Sequence, residues 1–324
     1  MEIRMLSRKK IIAGNLISEV CVFNLAGYLQ KVLVEGKTKD LPVVINLHGG
    51  PGMPVPFCVG CRGMFPEFTG KYIMVYWDQL GCGCNTDERA KNLSVSDYVD
   101  MTIDLVREIK KMFPENKIFL FAISWGTVLS SLALEREPKL VDGVLAWGQF
   151  VREAWLNSEV IQELKNHKIP PKKLERFREL TPEHFDADGL KFMYKVISKY
   201  TNGYTDRRFK SMPKARLLKG YITSPDYRLR DLKTFLSNDA MLNISIYKEL
   251  LLLDEIPILE RVKIPYMILS GESDIICASK SSLSQLMKSK NENLSIVEIK
   301  NSGHIPSLAA FQQTGEYLRK LVEI

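Results

Sequence analysis

The chain has 324 residues, of which 45% are hydrophobic and 26% charged, with 20 Gly and 15 Pro. That profile excludes a disordered, collagen-like or coiled-coil protein. At this length one large α/β domain, or a core with an inserted domain, is expected, because single cores stop growing at ~250–300 residues. Lys and Arg number 45 against 38 Asp and Glu, a net charge of +7 with no dense basic run, so charge points to neither a nucleic-acid nor a membrane partner.

The N-terminus, MEIRMLSRKK, is a basic lead, but Asn15, Ser18 and Glu19 interrupt the segment where an export signal needs unbroken apolar residues. No run of ~20 uncharged apolar residues follows, and the leucines at 250–253 are too few to span a bilayer. The expectation is a cytoplasmic protein. Residues up to about 40, with VCVFNLAGYLQKVLVEG, predict antiparallel edge strands. PVVINLH (42–48), KYIMVYWD (71–78), KIFLFAIS (117–124) and DGVLAWG (142–148) are nearly continuous apolar runs, as expected of parallel strands covered on both faces. Between them, Val99, Ile103, Val106, Ile109 and Phe113 recur at helical spacing, with Asp97 and Asp100 early and Lys110 and Lys111 late, predicting a helix over 95–113 aligned with its dipole.

The alternation stops at about 150. Residues 150–255 have helical spacing, breaks at Pro170-Pro171, Pro182, Asn202-Gly203 and Pro225, and 20 Lys and Arg against 15 Asp and Glu from 151 to 255. They read as a helical insertion, a cap, in a core formed by 1–149 and 256–324. The strand pattern resumes at VKIPYMILSG (262–271) and LSIVEIK (294–300), and an amphipathic helix over about 307–322 closes the chain.

Six cysteines in a chain of this size do not make a disulfide scaffold. Cys58-x-x-Cys61 and Cys82-x-Cys84 lie on two short loops whose thiolates could converge on a tetrahedral zinc. The second pair lacks the usual two-residue spacer, so free thiols and no metal are expected.

Ala122-Ile123-Ser124-Trp125-Gly126 stands where a buried strand gives way to a helix and resembles a nucleophile elbow, the sharp turn that exposes a serine hydroxyl above a sheet. Small residues two before and two after the serine let strand and helix approach closely; here they are Ala122, in place of the usual Gly, and Gly126. Taken alone, Ser124 would read as a helix N-cap. Of the four histidines, His167 and His184 fall in the insertion and His48 precedes a glycine-rich loop, which leaves His304, just past the last strand, as the base. Asp274 follows Gly271-Glu272-Ser273 after the preceding strand, so the chain order is Ser124, Asp274, His304, that of a hydrolase sheet. Glu272 is the alternative acid. His48-Gly49-Gly50-Pro51-Gly52 ends an earlier strand, and the backbone N–H of Gly49 or Gly50, with that of Trp125 at the helix N-terminus, would form an oxyanion site.

HGGPG, WDQLGCG at 77–83, Ser124-Trp125-Gly126, Gly271-x-x-Asp274 and Ser302-Gly303-His304 together resemble the proline iminopeptidase family of α/β-hydrolases. The resemblance implies an eight-stranded, mostly parallel sheet with a helical cap inserted after the sixth strand, and cleavage of N-terminal residues, often proline, from small peptides. It implies Ser124 as nucleophile, His304 as base, Asp274 as its partner, and Gly49, Gly50 and Trp125 around the oxyanion. The family usually reads Asp-Gln-Arg-Gly-x-Gly-Arg-Ser where this chain has Asp78, Gln79, Leu80, Gly81, Cys82, Gly83, Cys84 and Asn85, so both arginines are missing.

An aminopeptidase also needs a carboxylate for the substrate ammonium, since an unpaired charge in a closed pocket is unfavourable. Glu153 is the nearest candidate, but its neighbour Arg152 and the net basic insertion favour a surface ion pair over that role. Three readings follow: an iminopeptidase-like aminopeptidase, a small-acyl esterase or amidase, and a non-catalytic binding protein of the same fold. The substrate would be a small molecule or short peptide. A nucleotide enzyme is excluded by the absence of Walker and Rossmann glycine patterns.

Overall fold

The computed structural model describes residues 8–55, 57–211, 213–234 and 237–324. A short helix, α1 (Arg8–Gly14), precedes strands β1 (Ile17–Leu25), β2 (Tyr28–Gly36) and β3 (Val43–Leu47), helix α2 (Pro66–Thr69) and strand β4 (Ile73–Trp77). Then come α3 (Val95–Met112), β5 (Ile118–Ile123), α4 (Trp125–Arg136) and β6 (Gly143–Trp147). Six helices follow: α5 (Ser158–Asn166), α6 (Pro171–Arg178), α7 (Ala187–Tyr200), α8 (Lys214–Ile222), α9 (Leu229–Lys233) and α10 (Ile244–Leu252). The chain ends with α11 (Ile256–Leu259), β7 (Tyr266–Gly271), α12 (Lys280–Leu286), β8 (Leu294–Ile299) and α13 (Leu308–Val322).

The eight strands form one sheet in the order β1-β2-β4-β3-β5-β6-β7-β8. The β1/β2 and β2/β4 pairs are antiparallel and all the others parallel. Pleating explains why the central strands read as unbroken apolar runs. Val43, Ile45, Ile73, Val75, Ile118 and Leu120 point to one face, where α3 and α4 contribute Val99, Val106, Val128 and Leu129. Val44, Met74, Tyr76, Phe119, Phe121 and Leu145 point to the other, against Ala310, Leu318 and Leu321 of α13. With both faces covered, both register positions favour apolar side chains, and the one polar residue of β3, Asn46, is buried with its amide donating to the Phe121 carbonyl at 3.2 Å.

Helix α3 starts at a capping box, the Ser94 Oγ accepting the Asp97 N–H at 3.2 Å and the Asp97 carboxylate accepting the Ser94 N–H at 2.7 Å. In the segment between β6 and β7, the breaks at Pro170-Pro171, Pro182, Asn202-Gly203 and Pro225 sit at element boundaries, with Pro171 opening α6, and Asn157, Asp186 and Asn243 cap α5, α7 and α10. Helix α1 was not anticipated. Its seven residues include no buried side chain, so it left no apolar stripe to read. No helix among the described residues is long and apolar enough to cross a membrane.

Chain connections leave β3 toward one edge of the sheet and β5 toward the other, so the crevice beyond the carboxyl ends of these two strands is the topological switch point. His48 follows β3 and Ser124 follows β5.

Candidate active site

Ser124 occupies the turn between β5 and α4 with φ 52° and ψ −120°, a backbone conformation sparsely used by any residue with a side chain. The turn is held from both sides: the Ser124 N–H donates to the Trp147 carbonyl at 2.8 Å, and its carbonyl accepts from the Thr127 N–H at 2.7 Å and the Thr127 Oγ1 at 2.6 Å. Gly126 is required here, since a Cβ at that position would stand 2.2 Å from the Leu47 carbonyl oxygen. The elbow therefore presses helix α4 directly onto the end of β3. Ala122 is fully buried within β5, so its extra methyl is accommodated.

The three residues brought forward by chain order meet. The Ser124 Oγ lies 2.9 Å from His304 Nε2, and His304 Nδ1 lies 2.8 Å from an Asp274 carboxylate oxygen. All three are enclosed, at 9% exposure for Ser124, 9% for His304 and 4% for Asp274. Asp274 also accepts the Ile276 N–H at 2.9 Å. The alternative acid, Glu272, instead pairs with Lys300 at 3.4 Å and accepts the Asn301 N–H at 3.0 Å.

The position of His304 is fixed by three further contacts: its N–H donates to the Gly203 carbonyl at 2.8 Å, the Trp147 indole donates to its carbonyl at 2.7 Å, and the Tyr204 ring stands edge-on to the imidazole at 5.8 Å. Gly148, with φ 62°, completes the site, because a Cβ there would meet the imidazole at 2.9 Å.

Burial alone would depress the His304 imidazole, but the Cys277 sulfur and the Asp274 carboxylate oppose it, and the net direction is well above the ordinary histidine value. Burial also raises the Cys277 thiol, so the standing negative charge beside the ring belongs to Asp274. The Cys277 Sγ lies 3.7 Å from the Ser124 Oγ and 3.8 Å from His304 Nδ1. The sequence reading gave Cys277 no place here, since nothing in its spacing distinguishes a thiol three residues past the acid.

Gly49 and Gly50 lie beyond β3, where a Cβ on Gly49 would come within 3.2 Å of the Ser124 Cβ. The Trp125 N–H is the first of helix α4 and has no carbonyl of its own helix to bond. His48 is fully buried and held neutral, its imidazole pushed down to about 4 by desolvation.

Glu153 stands exposed on the turn after β6 with φ 50°, apart from the buried triad, while Arg152 reaches Gln285 at 3.1 Å. The two cysteine loops meet at Asp78, whose carboxylate accepts the Val59 N–H at 3.1 Å and the Cys84 N–H at 3.0 Å. The Cys58 and Cys61 sulfurs lie 3.4 Å apart, whereas the Cys82 Sγ faces the Gln79 carbonyl at 3.1 Å and His48 Nε2 at 3.6 Å. Among the described residues no three His, Cys, Asp or Glu side chains form a group able to hold a metal.

A serine at a strained elbow, hydrogen-bonded to an imidazole that is itself oriented by a carboxylate, can transfer an acyl group through a covalent ester. Comparison with known proteins agrees with the geometry at the level of fold. Over 94% of both chains, 24% of residues are identical to those of a protein named probable aminopeptidase YbaC from Bacillus subtilis (strain 168). A proline iminopeptidase from Neisseria gonorrhoeae matches at 32% identity over 41% of this chain and 44% of its own length.

Among solved structures, a proline iminopeptidase from Mycobacterium smegmatis superposes with a TM-score of 0.64 at 14% identity, covering 94% of this chain and 98% of the other. A proline iminopeptidase-related protein from Thermus thermophilus gives 0.61 at 19% identity, covering 95% and 99%. The family model described as alpha/beta hydrolase fold matches residues 42–310, from the strand that leads into the glycine loop to the helix beyond His304, and the chain belongs to that family of hydrolases.

Proposed function

We propose that the protein is a serine hydrolase working through an acyl-enzyme. The observation that carries the reading is the relay from Ser124 through His304 to Asp274, with contacts of 2.9 Å and 2.8 Å. In this reading the Ser124 Oγ attacks the acyl carbon while its proton passes to His304 Nε2. The resulting oxyanion accepts from the Trp125 N–H and from Gly49 or Gly50. Collapse expels the leaving group, which takes the proton from His304, and water activated by the same imidazole releases the acid.

For substrate, the relatives named aminopeptidase and proline iminopeptidase support an iminopeptidase-like aminopeptidase acting on small peptides. One observation favours a second reading, a small-acyl esterase or amidase. The aromatic side chains that extend from His304, namely Tyr204, Tyr194, Trp155 and Tyr247, include no carboxylate to meet a substrate ammonium. Asp206, a buried carboxylate two residues beyond Tyr204, is already paired with Arg208 at 2.6 Å. Six cysteines in a chain of 324 residues, too few for a disulfide scaffold, suit a reducing compartment such as the cytoplasm.

Steady-state assays of prolyl and other aminoacyl anilides beside short nitrophenyl esters separate the two readings. Turnover of prolyl anilide abolished in Ser124→Ala is the aminopeptidase result. Silence on every anilide, while esters turn over through Ser124, defeats it in favour of the second.

A further inference from the structure

We propose that Gln79 is a positioning residue that fixes the spacing of the oxyanion site by tying together the two chain segments that form its walls. The inference rests on the acyl-enzyme reading above and assigns a role to a side chain that no part of that reading uses. Gln79 directly follows Asp78 beyond β4 and is fully buried. Its side-chain Nε2 donates to the His48 carbonyl at 3.1 Å, and its Oε1 accepts from the Trp125 indole Nε1 at 2.8 Å. One amide thus spans from the glycine-loop wall to the helix α4 wall. Its orientation is unambiguous, because a carbonyl only accepts and an indole N–H only donates, so a flipped amide would oppose like groups at both ends.

The same residue also steers the glycine loop through its backbone. The Gln79 N–H donates to His48 Nε2 at 3.0 Å, which obliges the imidazole to carry its proton on Nδ1, and that proton faces the Gly49 carbonyl at 2.7 Å. The Gly49 carbonyl and the Gly50 N–H share one planar trans peptide unit and point in opposite directions. Holding the carbonyl on the His48 side therefore turns the Gly50 N–H away from that ring and fixes its direction.

On the other wall, the Trp125 indole is wedged edge-on against Tyr98, with centroids 5.7 Å apart, and the Tyr98 hydroxyl donates to the Leu80 carbonyl, next in sequence to Gln79, at 2.8 Å. Oxyanion donors act only within a few tenths of an ångström of their working distance, and losing one lowers turnover by about 10²–10³-fold. Loosening the frame that spaces two donors is expected to lower it by about 10–100-fold.

The test uses the full-length protein and a fluorophosphonate probe, whose phosphoryl oxygen enters the same oxyanion site when a serine is phosphonylated. The maximal labelling rate, the concentration giving half that rate and the melting temperature are measured for the wild type, Gln79→Met, Trp125→Phe and the double variant. Gln79→Met is expected to lower the maximal rate about 10–100-fold with little change in half-saturating concentration. Trp125→Phe, which keeps a ring and removes only the indole donor, should do the same in part, and the double variant should be no slower than Gln79→Met alone, because both remove one link.

A folded Gln79→Met protein labelled at the wild-type maximal rate overturns the proposal, as do fully multiplicative losses in the double variant. If Gln79→Met does not fold, Trp125→Phe carries the test, and an unchanged maximal rate there overturns it. Ser124→Ala separates the two levels: labelling that survives it removes the acyl-enzyme reading and this inference with it, whereas labelling lost in Ser124→Ala but undiminished in Gln79→Met removes the inference alone.

Discussion

In the proposed mechanism His304 must be neutral to accept the Ser124 proton, yet Asp274 at 2.8 Å favours the imidazolium and holds the group well above the ordinary histidine value. Turnover should therefore climb as pH rises beyond about 6.5 and level off only once His304 is deprotonated, which a kcat profile measured from about pH 6 to about pH 10 checks. The sign for stability is opposite. A base raised in the folded state contributes stability that is complete below its unfolded value and is lost as pH passes its folded value, so the pH that frees the base also loosens the fold. Replacing Asp274 by Asn should lower kcat by about 10⁴-fold, because the amide favours the wrong imidazole tautomer, and should move the rising limb to lower pH. An unchanged limb would show that Asp274 is not what holds His304.

His48 behaves in the reverse sense. Burial pushes its imidazole down to about 4, so its contribution is present above about pH 6.5 and is lost as pH falls toward 4. Acid inactivation in that window is expected to be slower to appear when His48 is replaced by the non-titrating Asn or Gln.

At the scale of elements, the return from the helical segment to the sheet is built on Glu255, which precedes α11 and is fully buried. One carboxylate oxygen accepts from Ser131 at 2.6 Å and from Gln149 at 2.9 Å, and the other has no hydrogen-bond partner among the described residues. Burial pushes this carboxyl well above the usual range, so the folded protein favours the protonated form. Stability from this group is complete below about pH 4.5, where both states are protonated, and declines as pH rises toward the folded value. In Glu255→Gln that decline should vanish, so the melting temperature of the variant relative to wild type should rise between about pH 5 and about pH 8. A difference that does not change with pH would contradict this assignment.

The elbow makes a steric prediction. Gly126→Ala places a methyl against the Leu47 carbonyl and should destabilise the protein by about 1–3 kcal/mol, measured by urea unfolding. Elements of this kind were legible in sequence for a physical reason: strands covered on both faces are apolar at nearly every position, with Asn46 in β3 and Ser270 in β7 as buried exceptions, and the residue types at the elbow follow from close backbone approach. Helix α1 and the limits of the helices between β6 and β7 were less so, because short exposed helices bury little and leave a weak period.

For the whole molecule, the order of side chains along the sequence was enough to predict which would meet, because a parallel sheet delivers the carboxyl ends of its strands to one rim. What that order could not convey is contact between groups with no positional rule. The Gln79 bridge, Cys277 against the imidazole and Tyr204 over His304 all arise from loops folding across the rim. Glu153, considered for a substrate contact because it follows β6 closely in sequence, is exposed on the turn after that strand.

The most direct test at this scale is fluorophosphonate labelling of the full-length protein followed by peptide mass spectrometry. The expected result is a single phosphonylated residue, Ser124, with the adduct lost in both Ser124→Ala and His304→Ala. An adduct on another residue, or none at alkaline pH where His304 is neutral, would contradict the assignment of these three residues as a catalytic unit.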